Sequence, residues 1–245
     1  MDFSVNPVGI EFQLFGPAHL TALGLVILVN LGLLPLRHVR SDGVHRAVRL
    51  GLASIIMTAS VGFAVWRLWA GGWDIRTDLP LHLCDVMAIV TVALLVTRHR
   101  RLYDFVYFLG IGGAAQALLT SNVGAYGYPH VYFVSSMAAH GAIVTTGLYL
   151  AVVEGYRPTW RTLWWVAGCG TVYAAAIFGL NLVLGSNYLF IGHKPEFRSI
   201  IDWLGPWPWY VPALIAIGVA VLHVLYLPFV WQDWRDRRAT GSLRD

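Results

Sequence analysis

The stretch Pro17–Leu36, PAHLTALGLVILVNLGLLPL, followed at once by Arg37-His38-Val39-Arg40, decides the fold class. It holds no Lys, Arg, Asp or Glu. At about 1.5 Å per residue it matches a hydrocarbon core of about 30 Å. The basic run behind it reads as a membrane boundary. The rest of the chain follows the same pattern. Of 245 residues, 57% are hydrophobic and only 12% charged, against about 25% charged in a soluble domain. Thirteen acids and seventeen bases cannot cover the surface of a water-soluble fold of this length.

Seven segments qualify as spans: about 17–36, 47–66, 79–97, 102–119, 129–152, 161–184 and 207–231. Pro17, Pro80 and Pro129 stand where the first, third and fifth open, a position where the missing N–H has no helical partner anyway. Arg98–Asp104 reads as a tight charged hairpin between the third and fourth segments. Thirteen of the seventeen basic residues lie in the loops after segments 1, 3 and 5 or in the C-terminal tail. The other four, Arg67, Arg76, Lys194 and Arg198, fall on the opposite side. By the positive-inside rule this predicts an all-α polytopic membrane protein over residues 1–245, with seven spans, the N-terminus outside and the C-terminus cytoplasmic. Tryptophans at segment ends, among them Trp66, Trp160, Trp207, Trp231 and Trp234, mark interfacial belts. The first fifteen residues carry Asp2 and Glu11 but no base, so the first apolar segment is expected to stay in the membrane. The modest net charge of +4 is sorted by topology, leaving no face for nucleic acid.

Polar groups inside spans are costly and need a partner or a purpose. Counted from the arginine-rich boundary, Cys84 and His140 each lie about 21 Å deep, Gln116 about 18 Å and His223 about 15 Å. Nearer the other surface come His82, Ser121, Asn122, His130, Asn181 and Asn187, a polar funnel open to that side. His82 and Asp85, three apart, could share a hydrogen bond on one helix face. Cys84 sits about 200° round the helix from His82, so His140, on a neighbouring helix at equal depth, is the better base for its thiol. Asp85 or Asn181 could orient that imidazole. Cys169, between glycines, reads as a small apolar residue. Gln116 and His223 read mainly as interhelical hydrogen bonders. His19, His38, His45, His99 and His193 are expected to be solvated at the interfaces. A zinc site using His82, Cys84 and Asp85 would need ligands from at least two further helices. A retinal protein would need a lysine in its last helix, and the single lysine, Lys194, lies before it. No inverted repeat of the transporter kind is visible.

The run Leu79-Pro80-Leu81-His82-Leu83-Cys84-Asp85, the His140 region, Asn181–Phe190, Lys194-Pro195 and Leu204–Pro208 together resemble the YwaF-like family of bacterial integral membrane proteins, whose animal relative is transmembrane protein 164. The resemblance covers about residues 45–231. It implies a seven-helix fold in the bacterial cell membrane. Through the animal relative it also implies a phospholipid acyltransferase that works by a cysteine thioester with a helical histidine, mapping onto Cys84 and His140. The expected partners are then a phospholipid and a lysophospholipid, with no cofactor and no metal. His82, Asn181 or Asn187 would stabilise the oxyanion or hold the headgroup, Lys194 and Arg198 would meet the phosphate, and Gln116 would line the site. Two other readings stay open: a lipid or small-molecule binding or transport protein without catalysis, and a zinc-dependent intramembrane hydrolase.

Overall fold

The computed structural model describes residues 11–69, 71–121, 123–124, 126–195 and 200–241. Seven long helices carry these residues: α1 Pro17–Leu33, α2 Asp42–Trp69, α3 Leu83–Thr97, α4 Arg101–Leu119, α5 Val131–Val152, α6 Trp160–Leu184 and α7 Tyr210–Gly241. There is no strand among the described residues. All of these helices but α3 are long and apolar enough to cross a membrane, six in all. The most apolar stretches of α1 and α7 have only 6% and 11% of their residues buried. Faces so apolar and so open are stable against lipid, not against water.

The third expected span is corrected at its start. Helix α3 is 15 residues long and begins at Leu83, not at Leu79. The physical cause lies about a hundred residues away in the chain. The Tyr188 hydroxyl accepts from the Leu79 N–H and donates to the Ile75 carbonyl, and the Tyr173 hydroxyl donates to the Leu81 carbonyl. These bonds satisfy Leu79–Leu81 outside a helix, and Leu81 N–H closes a tight turn onto Leu79 O. Non-helical backbone at membrane depth is tolerated only where protein supplies such partners.

Residue contacts give the helix directions. Asn30 donates to Thr145, and Gly141 faces Val26, so α1 and α5 run parallel. Arg49 meets Glu154 while Phe63 stacks on Tyr132, so α2 and α5 run antiparallel. Glycines set the closest approaches. A methyl on Gly141 would lie 2.7 Å from Val26 Cγ2, and one on Gly110 would lie 3.3 Å from Ile143 Cγ2. Gly110 closes a π-helical turn, Val106–Gly110, inside α4, a local rewinding that often marks functional regions. Helix α4 contributes to four apolar clusters, of which two are the largest. One joins Leu52, Ile56, Ala88, Ala114 and Ile143; the other joins Phe108, Leu163, Val166, Leu222 and Phe229.

The arginine-rich ends of α1–α7 therefore lie together. There Arg49 Nη1 pairs with Glu154 Oε1 at 3.1 Å, Tyr103 donates to the same carboxylate at 2.8 Å, and Tyr156 donates to Asp104. His45 bridges Tyr149 and the Val39 carbonyl. Two histidines expected to be solvated are thus paired instead. His45 is one; His19 is the other, with 1% of its surface exposed. The His19 Nδ1 accepts from Phe15 N–H and its Nε2 donates to Leu118 O.

Candidate functional site

The site is built on the first turn of α3. His82 is the N-cap, with extended backbone, so Cys84 and Asp85 sit at the very start of the helix. The Cys84 sulfur lies against α4: a methyl added at Gly113 would meet Leu83 Cδ2 at 3.4 Å and Cys84 Sγ at 3.9 Å. A methyl there would make no more than ordinary contact, so the thiol borders the α4 backbone without being crowded by it.

His140 reaches the same level from α5. Helices α4 and α5 are antiparallel, with Gly110 against Ile143 and Gly147 against Ile111. Moving three residues toward the site takes α4 to Gly113 and α5 to His140. The His140 ring is held by Ser136, one turn earlier: Nδ1 lies 2.7 Å from the Ser136 carbonyl oxygen and 3.3 Å from its hydroxyl. A carbonyl only accepts, so Nδ1 carries a proton. No hydrogen bond occupies Nε2 among the described residues. In its neutral form the imidazole would keep its lone pair at Nε2, where a proton acceptor needs it.

The remaining candidates are placed as follows. His82 makes no side-chain bond with Asp85; its ring packs edge-on against Tyr188, centroids 5.3 Å apart, and tilted on Phe190 at 5.2 Å. Asp85 donates its backbone N–H to the His82 carbonyl. Its carboxylate lies within hydrogen-bonding reach of the His82 main chain, at the start of the same helix. Asn181 does not orient an imidazole. It is buried, and its amide forms a reciprocal pair with the main chain of Tyr188 while accepting from Ser186. Gly185, left-handed at φ 63°, ends α6 and lets the chain turn into this clasp. Asn187 is bound within its own loop to Gly192 and His193. Lys194 donates to the Asp202 carbonyl. Gln116 is exposed on α4, Asn122 and Arg198 fall outside the described residues, and Ser121 Oγ is buried without a partner. His223 leaves the polar layer: its ring sits edge-on against Trp160 and Trp164 at the arginine-rich end of α6. Among the described residues no three His, Cys, Asp or Glu side chains converge as a metal would require.

Beside the site, Arg67 clasps Asp78 through two bonds of 2.7 and 2.8 Å. Burial pushes the Asp78 carboxyl up, but Arg67, the Asp74 N–H and Thr77 outweigh it and hold the group below its ordinary value. Burial raises the Tyr188 hydroxyl and lowers the His130 imidazole. Sequence reasoning missed Ser136 and the three tyrosines, Tyr173, Tyr188 and Tyr210, whose hydroxyls tie down Leu81, Ile75 and Phe190. Only Ser136 left a trace in the sequence, four residues before His140.

An all-helical multi-pass membrane protein, with a thiol and an imidazole at one level, is the class these features define. The chain belongs to the TMEM164 family, whose model matches residues 14–226. No curated protein and no solved structure matches it.

Proposed function

We propose that the protein is a membrane-embedded phospholipid acyltransferase acting through a Cys84 thioester, with His140 as acid and base. The observation that carries this reading is the His140 ring, held by Ser136 with Nε2 unpaired at the level of the Cys84 thiol. A side-chain rotation brings the two together. Nε2 takes the thiol proton, the thiolate attacks the ester carbonyl carbon of a phospholipid, and the lysolipid alkoxide leaves with the proton from His140. A lysophospholipid hydroxyl then attacks the thioester, deprotonated by the same imidazole, and the thiol is regenerated. His82 or Asp85, or both, shape the entry.

The proposal extends to topology. Leu79–Leu81, the His82 cap and α3 together make a seventh crossing, the N-terminus lies outside, and the arginine-rich end faces the cytoplasm of a cell membrane. The whole chain then acts as one bundle, and the site opens to the outer leaflet.

Acyl exchange between a phospholipid and an isotope-labelled lysophospholipid in proteoliposomes, followed by lipid mass spectrometry, tests the activity. Labelled diacyl lipid is expected with the wild type and not with Cys84→Ala. A reading without catalysis, as a lipid-binding protein, is favoured by one observation: Cys84 and His140 share no hydrogen bond among the described residues. It requires lipid to be held without exchange and Cys84→Ser to be harmless.

A further inference from the structure

The last turns of α7 sort their side chains by charge. At about 100° per residue, Trp231, Trp234, Arg235 and Arg238 share one face of the helix, and Asp233 and Asp236 share the opposite one. The contacts follow the same division. The Arg235 guanidinium lies 4.8 Å from the centre of the Trp231 ring, and that of Arg238 lies 3.8 Å from the Trp234 ring. On the other face Arg157, from the turn before α6, donates to Asp233 at 2.6 Å and approaches Asp236 to 3.8 Å. The acids are thus turned toward a base of the bundle itself. Both tryptophans and both arginines of the stripe are exposed.

Position along the helix says what this stripe faces. Helix α7 is 32 residues long, and about 20 residues suffice to cross a bilayer core. Counted from Tyr210, the core ends near Val230, so Trp231 opens the headgroup layer. Indoles favour that layer, and arginine stems lie along the apolar boundary with their heads among the phosphates. Arg161, exposed in the first turn of α6, adds charge at the same end; its neighbour Trp160 packs on Tyr226 of α7.

We propose that the stripe Trp231–Trp234–Arg235–Arg238 binds the headgroups of anionic phospholipids in the membrane that holds the protein. The guanidinium planes rest on the indoles, which presents their N–H edges to phosphate oxygens. Arg157 removes the repulsion that Asp233 and Asp236 would otherwise exert on an anion.

The test compares wild type with Arg235→Gln/Arg238→Gln, reconstituted with phosphatidylcholine alone or mixed with phosphatidylglycerol. Co-purified lipid is counted by native mass spectrometry. Wild type is expected to retain phosphatidylglycerol in preference to phosphatidylcholine, and the double variant to lose that preference by about twentyfold, roughly fivefold per arginine. Arg235→Lys/Arg238→Lys is expected to keep most of it, which separates charge from folding. The single Arg238→Gln gives the same decision should the double variant extract poorly. Equal preference in wild type and glutamine variants, or no preference in wild type, overturns the proposal. Acyl transfer plays no part in the readout, so the result stands apart from the fate of Cys84.

Discussion

Two polar regions lie at opposite ends of the same bundle, and they are built on opposite principles. At the arginine-rich end Arg49, Tyr103 and Glu154 are bonded to one another, Tyr156 is bonded to Asp104, and His45 spans Tyr149 and Val39. Around α3 the Cys84 thiol and Nε2 of His140 have no hydrogen-bond partner among the described residues. Membrane burial makes an unpaired polar group expensive. Even at the α3 end most polar groups are bonded, Arg67 to Asp78 and Asn181 to the Tyr188 main chain, which makes the open thiol and imidazole nitrogen stand out. On the proposed function, stability belongs to the first region and chemistry to the second.

That division can be broken by mutation. His140→Ala is expected to lower acyl transfer by about 10² to 10⁴-fold while leaving the melting temperature unchanged; a loss of melting temperature in proportion would merge the two regions. Glu154→Ala should do the reverse. It strands Arg49, whose side chain is 12% exposed, and is expected to cost about 3–5 kcal/mol in thermal unfolding, with transfer per folded molecule intact. Gly141→Ala forces a methyl to within 2.7 Å of Val26 Cγ2, and is expected to cost about 1–3 kcal/mol by separating α1 from α5.

The smallest effect is a dependence on pH. Asp78 is held below its ordinary value, so its contribution is fully present above about pH 5 and is lost as pH falls through the lowered folded value. A thermal melt series from pH 6 to pH 3 should show wild type losing about 1 kcal/mol more than Asp78→Asn. Parallel curves would remove Asp78 from the account.

Much of this architecture was legible in the sequence. Apolar length located the six helices long enough to cross a membrane and the shorter α3 among them, because it depends on local composition alone. Depth counting brought Cys84 and His140 to one level for the same reason: helical rise is uniform. What local composition cannot carry is a partner distant in sequence. Leu79 and Leu81 read as the start of the helix they precede, and it is the distant Tyr188 and Tyr173 hydroxyls that bind their backbone outside it. His19 reads as an interfacial residue until Leu118, 99 residues later, accepts its proton. Asn181 reads as a site residue because nothing in its own segment reveals that Tyr188 takes up its amide. The π-helical turn at Val106–Gly110 has no sequence mark beyond its glycine.

The central claim is that lipid turnover passes through a covalent acyl group on Cys84. Purified protein is incubated with phospholipid and no acceptor, and its intact mass is read before and after hydroxylamine. The account predicts a hydroxylamine-labile gain of one acyl chain on wild type, increased in His140 variants only if deacylation fails before acylation, and none on Cys84→Ala. Transfer by Cys84→Ala at the wild-type rate, or turnover by wild type with no acylated species, would contradict it.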